Sequence, residues 1–314
     1  MPSPLSKWVL CLGFGMTLAA RNCSAQESHP RPDAGDVPIV IAGGNIRLAF
    51  AGDDWALSKA ALTEWVKNDA RAVALYYGRF PVQQLDLTLK PVPGRGVKQG
   101  VTYGEGTPSI RVGVGREAGN DDLTDDWILV HEMVHLALPL LPRRHHWLEE
   151  GIATYVEPIA RAQSGQLSAE KVWGDMLRDM HQGMPQAGDE GLDNTPTWGR
   201  TYWGGAMFCL LADVRLREQT GNRFGLQHAL RAIDRESGGI AVARSIEQVL
   251  QTGDAATGTH VLTELYREMA NKPMQPDLGL LWHRLGVAQA DGKIAFDDSA
   301  PLAKVRMAIL SPLH

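Results

Sequence analysis

Two histidines and a glutamate stand inside an otherwise apolar run, "WILVHEMVHLALP" at residues 127–139. Burying such groups costs free energy unless a partner satisfies them. His131 and His135 are four residues apart. On a helix they share one face, about one turn apart, so two imidazoles can reach the same ion. Glu132 is rotated by about 100° from His131. It stands beside such an ion rather than on it, where it can accept a proton from water. The spacing is H-E-x-x-H, the pattern of zinc hydrolases. Ile128, Leu129, Val130, Met133, Val134 and Leu136 flank it. An apolar helix supplies the dry, rigid setting that zinc catalysis requires, and it argues against two ordinary solvated histidines.

A catalytic zinc takes three protein ligands and keeps a fourth position open. A metzincin would place Gly at 138 and His at 141, where this chain has Leu138 and Leu141, so that class is excluded. His145 and His146 follow "PRR" in a polar turn and are possible ligands. Glu149 and Glu150, in "WLEEGIATY", lie on the next helical segment. Two helices joined by a short connection are normally antiparallel neighbours, so a carboxylate there returns easily to the first helix. Helical periodicity leaves the choice between the two glutamates open.

The elements that must position these groups divide into two parts. Residues 39–50 are β-like with a Gly-Gly break, a long helix covers about 54–78, and "FPVQQLDLTLKPV" alternates as a strand. "GVKQGVTYGEG" and "SIRVGVG", 109–115, read as two further short strands. From about 121 the chain turns mostly helical. One helix starts among Asp121, Asp122, Asp125 and Asp126, which suit caps and a first turn, and runs to Pro139. Further helices cover 146–163, 168–182 and 200–221, with a Gly/Pro/Asp loop at 183–199 long enough to act as a lid or touch substrate. Shorter helices fit 225–236, 244–251 and 259–270, and the tail suggests a strand and a last helix. Trp55, Trp65, Trp173 and Trp198 read as core or rim aromatics, and Arg143 to His146 as a basic turn able to gate the site.

Three ordered motifs resemble a known family. "HEMVH", "WLEEGIATY" and "TYWGGAMFCLLADVRLRE" follow the order of the gluzincin metallopeptidases. They are most similar to the aminopeptidase branch, including glycyl-aminopeptidase-like proteins, over about residues 121–220. The resemblance implies an α+β, thermolysin-like zincin fold: a small mixed sheet with a long helix, then a helical lobe. It implies one zinc ion held by His131, His135 and Glu150, with Glu150 chosen because it directly precedes Gly151. Glu132 becomes the general base, and Tyr202, in Y-x-x-G with Gly205, the donor to an oxyanion. Without the family, Tyr202 reads equally as a core aromatic beside Trp203. The chain departs from the large aminopeptidases in two ways: the His135–Glu150 interval is shorter, and no G-x-M-E-N segment grips a substrate amino terminus. "SIRVGVG" lies where the corresponding edge strand would be. Aminopeptidase and endopeptidase specificity therefore both stay open.

The functional expectation is a zinc metallopeptidase acting on peptides or proteins. Its rivals are a zinc hydrolase of a non-peptide amide, such as a cell-wall fragment, and a non-catalytic binding module. A net charge of −5 gives no reason to expect nucleic acid as a partner. At the start, Lys7, an apolar run at 8–20, and small Cys23 and Ala25 read as a signal peptide cleaved after Ala25. The run is short for a membrane span, so an uncleaved anchor is disfavoured; Arg21 and Asn22 before Cys23 disfavour a lipoprotein. The expected organisation is a signal peptide at 1–25, a leader at 26–36, a strand-rich part at 37–120 and a helical lobe at 121–314, the last two forming one composite domain. The mature chain has no membrane span and is periplasmic or secreted. Its one remaining cysteine, Cys209, reads as a small buried hydrophobe.

Overall fold

The structure, a computed structural model, describes residues 35–313. The expected signal peptide and nearly all of the expected leader lie outside the described residues. The chain is α+β, a five-stranded mixed sheet followed by a helical lobe.

Strands β1 (Val37–Ile41) and β2 (Gly44–Phe50) form an antiparallel hairpin about the Gly-Gly break. Helix α1 (Lys59–Tyr77) then crosses to β3 (Gln84–Val92), which runs parallel to β2. Ser58 caps α1 by accepting from the Ala61 N–H, and Gly78 ends it in the left-handed conformation. Two strands follow, β4 (Val97–Tyr103) and β5 (Ser109–Gly115). The order across the sheet is β1-β2-β3-β5-β4. The alternating Leu85, Leu87 and Leu89 of β3 and Ile110, Val112 and Val114 of β5 are buried, as are Leu62, Val66, Val73 and Tyr76 of α1. Period-2 and helical spacing thus meet in one apolar core. The sequence expectation for "SIRVGVG" is corrected here. β5 pairs with β3 on one side and β4 on the other, so it is interior, and β4 is the edge.

The single helix expected from 121 to 139 is two. Helix α2 (Asn120–Thr124) ends before α3 (Ile128–His135) begins. The buried Asp126 carboxylate accepts from the N–H groups of Ile128 (2.9 Å) and Leu129 (3.1 Å). It satisfies donors that a new helix start leaves free, so the acidic run caps twice rather than once. Helix α4 (His146–Gln163) occupies its expected segment, and α5 (Ala169–Asp179) follows, capped by Ser168. A five-residue π-helical turn, Arg200–Gly204, leads into α6 (Gly205–Gln219). Helices α7 (Leu226–Ser237), α8 (Ile246–Thr257) and α9 (Val261–Met269) lie near their expected places. The tail adds an unexpected α10 (Leu278–Leu285), a hairpin of β6 (Val287–Ala290) and β7 (Lys293–Phe296), and α11 (Ala303–Leu310).

Helix α4 packs against α1, α3 and α6. Its crossing with α6 is close because both contact residues are glycines. A Cβ on Gly151 would stand 2.3 Å from Gly205 Cα, so any side chain there would push the helices apart. No helix among the described residues is long and apolar enough to cross a membrane. Cys209 is buried in α6.

Candidate metal centre

Helix α3 projects His131 and His135 from one face, their ring centroids 5.0 Å apart. The first turn of α4 brings Glu150 to them. Its Oε2 lies 3.1 Å from His131 Nε2 and 3.8 Å from His135 Nε2. One donor atom from each residue lies within 4.8 Å of the other two. Tetrahedral ligands at about 2.0–2.2 Å from a zinc ion stand about 3.3–3.6 Å apart. Two imidazole nitrogens and a carboxylate oxygen at these separations therefore fit a zinc site with little movement. Among the described residues this is the one group of three such side chains whose donors converge. Burial alone would raise the Glu150 carboxyl. The imidazoles of His135, His131 and His146 outweigh it and hold the group at about 2, so the carboxylate is ionised.

The other candidate ligands go elsewhere. His145 is buried and turns away, its Nδ1 2.9 Å from Asp193 Oδ1. Glu149 Oε1 accepts from the Leu141 N–H at 3.0 Å, and its Oε2 lies 3.1 Å from His146 Nδ1. His146 stays beside the centre, with Nε2 3.3 Å from Glu150 Oε1.

Glu132 is half-buried and faces the same cleft. The Thr102 hydroxyl, on β4, lies 2.6 Å from its Oε2 and 3.0 Å from its backbone carbonyl oxygen. Strand β4 reaches α3 this closely because of Gly100, whose added Cβ would stand 2.5 Å from Glu132 Cγ. Sequence reasoning missed Thr102 and Gly100. Their segment read as a strand, but nothing local says which helix it touches.

Tyr202 lies in the π-helical turn before α6. Such turns insert an extra residue and re-aim the side chains around it, often at functional sites. Its ring stacks on His131, with centroids 6.3 Å apart, and on Trp198 at 5.9 Å. Trp198 is 38 % exposed on the rim, whereas Trp65 and Trp173 are buried in the core. The 183–199 loop is tied down along its length. Asp189 pairs with buried Arg200 at 2.8 Å, and Asp193 accepts from Trp147 Nε1 and the Tyr266 hydroxyl, both at 2.7 Å. The loop forms a wall of the cleft through Pro196 and Trp198. The cleft encloses about 840 Å³ and contains His131, Glu132, His135, Glu150 and Tyr202 together.

A buried polar cluster supports the two helices from behind. Arg161 of α4 donates to Glu157 Oε1 (2.8 Å) and to the Thr124 carbonyl (2.7 Å). Burial raises the Asp126 carboxyl to about 7 against its two N–H donors and Arg161. Burial likewise raises Asp69 and Glu157.

No family model matches the sequence, and no curated protein matches it. Solved structures do. The chain is similar to the aminopeptidase N family protein from Idiomarina loihiensis, with a TM-score of 0.62 and 17% identity. That match covers 80% of this chain and 49% of the other. A two-domain M1 zinc metallopeptidase, solved as a mutant bound to L-arginine, gives a TM-score of 0.51 and 14% identity over 77% of this chain and 53% of its own. The chain thus spans about half the length of each. The likeness is one of fold: this is the gluzincin, aminopeptidase-like architecture of zinc metallopeptidases.

Proposed function

We propose that the chain is an exported zinc-dependent metallopeptidase that hydrolyses peptide bonds with Glu132 as general base. One observation carries the reading: three zinc-type donor atoms within 4.8 Å of one another, on the wall of a cleft that also holds Glu132 and Tyr202. The fold likeness to zinc metallopeptidases supports it.

A zinc ion held by His131, His135 and Glu150 would supply Lewis acidity and bring the pKa of a water to about 7. The chain's own groups do the rest. Glu132 accepts the proton of the attacking water while Thr102 holds its carboxylate in place. The water oxygen bonds to the peptide carbonyl carbon, and the carbonyl oxygen gains negative charge. The Tyr202 hydroxyl donates to that oxygen. Glu132 returns the proton to the leaving amine as the carbon–nitrogen bond breaks.

The test uses the purified protein and Glu132→Gln, with zinc content and peptide-library cleavage measured for both. The variant should keep its zinc and lose activity on the order of 10²–10⁴-fold. A wild type that binds no zinc, or binds zinc and cleaves no peptide, overturns the proposal. Preferential hydrolysis of cell-wall amides would assign the same machinery to that substrate class. Export is tested by sequencing the amino terminus of the secreted form, expected at Gln26.

A further inference from the structure

The basic turn before α4 supplies a side chain that the proposed reaction does not use. His146, Glu149 and Glu150 occupy positions i, i+3 and i+4 of the first turn of α4, so they share one face. Glu150 has two oxygens. Oε2 faces the imidazoles of His131 and His135, at 3.1 and 3.8 Å. Oε1 faces His146 Nε2 at 3.3 Å. The far nitrogen of that ring, Nδ1, lies 3.1 Å from Glu149 Oε2. Glu149 Oε1 in turn accepts the Leu141 backbone N–H. The neighbouring Leu140 is fixed on both sides: its N–H donates to the Val242 carbonyl, and its carbonyl accepts from the Arg244 N–H. The contacts run without a gap from an anchored backbone to the carboxylate.

We propose that His146 is a positioning residue: with Glu149 it clamps Glu150 Oε1, so that Oε2 alone is presented to the two histidines. The inference rests on the reading of His131, His135 and Glu150 as zinc ligands. A carboxylate with both oxygens free rotates and must be ordered when the ion arrives. One already held at its outer oxygen loses less freedom on binding. Partners that orient metal ligands are worth about 10–100-fold in metal affinity. The core does not need His146, because 53% of its side chain is exposed. Its replacement therefore tests ligand orientation rather than folding.

The experiment is zinc affinity by competition with a chromophoric chelator, on the full chain as wild type, His146→Ala, His146→Gln, His146→Asn and Glu149→Ala. Thermal unfolding of the zinc-free forms runs alongside. His146→Ala should weaken zinc binding about 10–100-fold without lowering the zinc-free melting temperature. Gln places an amide N–H where Nε2 stands and should restore most of the affinity. Asn replaces only the Nδ1 side and should behave as Ala. Glu149→Ala should weaken binding, with little added loss in the double variant. Zinc affinity of His146→Ala within twofold of wild type overturns the inference, as do independent, multiplying losses at 146 and 149. A wild type that binds no zinc overturns both this and the metallopeptidase reading; a wild type that binds zinc while His146→Ala is unaffected overturns this alone.

Discussion

Gly100→Ala is the sharpest test of how the sheet and the metal helix fit together. The new Cβ would lie 2.5 Å from Glu132 Cγ, 2.7 Å from Ile128 Cγ2 and 2.9 Å from Glu132 Cδ. Ordinary van der Waals contact begins near 3.4 Å, so a gap of about 0.9 Å must open. Two responses are available. Strand β4 can lift from α3, which costs about 1–3 kcal/mol in the manner of an overpacked core. Alternatively the Glu132 side chain swings away and breaks its contact with Thr102. Either response moves the carboxylate by up to an ångström relative to the cleft. A misplacement of that size costs on the order of 10² in rate. The three ligand side chains are not touched, so zinc should stay. The assay is kcat and KM on a cleaved peptide, with zinc content and a thermal melt on the same sample. Full zinc occupancy, kcat down about 100-fold and a small fall in Tm is the expected result. A variant with kcat within twofold of wild type and an unchanged Tm would show that β4 does not lie on α3 as described.

Two other perturbations probe different links. Tyr202→Phe keeps the ring stacked between His131 and Trp198 but removes the hydroxyl; kcat should fall about 10²–10³-fold with zinc content unchanged, and a KM effect alone would contradict the oxyanion role. Asp126 sets a pH dependence of stability. Its folded pKa, about 7, is raised above the usual carboxylate value, so between about pH 4 and 7 the folded chain holds a proton that the unfolded chain releases. The stability tied to it is complete at acid pH and is lost as pH rises through 7. Wild type should therefore lose a few kcal/mol relative to Asp126→Asn between pH 5 and 8 in urea unfolding; parallel pH profiles for the two proteins would refute it.

The parts that were legible in the sequence are those whose signals are local. Helix α4 matches its expected segment because its apolar face repeats at helical spacing and prolines precede it. His131, Glu132 and His135 announce themselves by spacing alone. What failed depended on distant partners. Asp126 inside an acidic run looks the same as a helix residue, and only its burial against Ile128 and Leu129 makes it the cap of a separate helix. β4 and β5 are both short, glycine-bearing strands. Which one is the edge is decided by β5 pairing with β3, on the far side of a long connection. Thr102 and Gly100 act on a residue 30 or more positions away, and no local pattern encodes that meeting. Helix α10 is the opposite case: Asp277 caps it and Gly286 ends it, so both punctuation marks were present.

The glycines explain why so few contacts suffice to assemble the cleft. Gly151 and Gly205 bring the backbones of α4 and α6 together closely enough that no side chain fits between them. Glu150 immediately precedes the first, and Tyr202 stands three residues before the second. One helix crossing therefore sets the carboxylate and the phenol in register, and the π-helical turn supplies the remaining rotation. Gly100 performs the same service between β4 and α3, setting Thr102 on Glu132. Each crossing is fixed by backbone contact rather than by long, adaptable side chains, so the chemistry-bearing groups inherit the precision of the elements that carry them. It follows that a side chain at any of these glycines acts on geometry before it acts on stability, and that zinc content and turnover should separate most cleanly there.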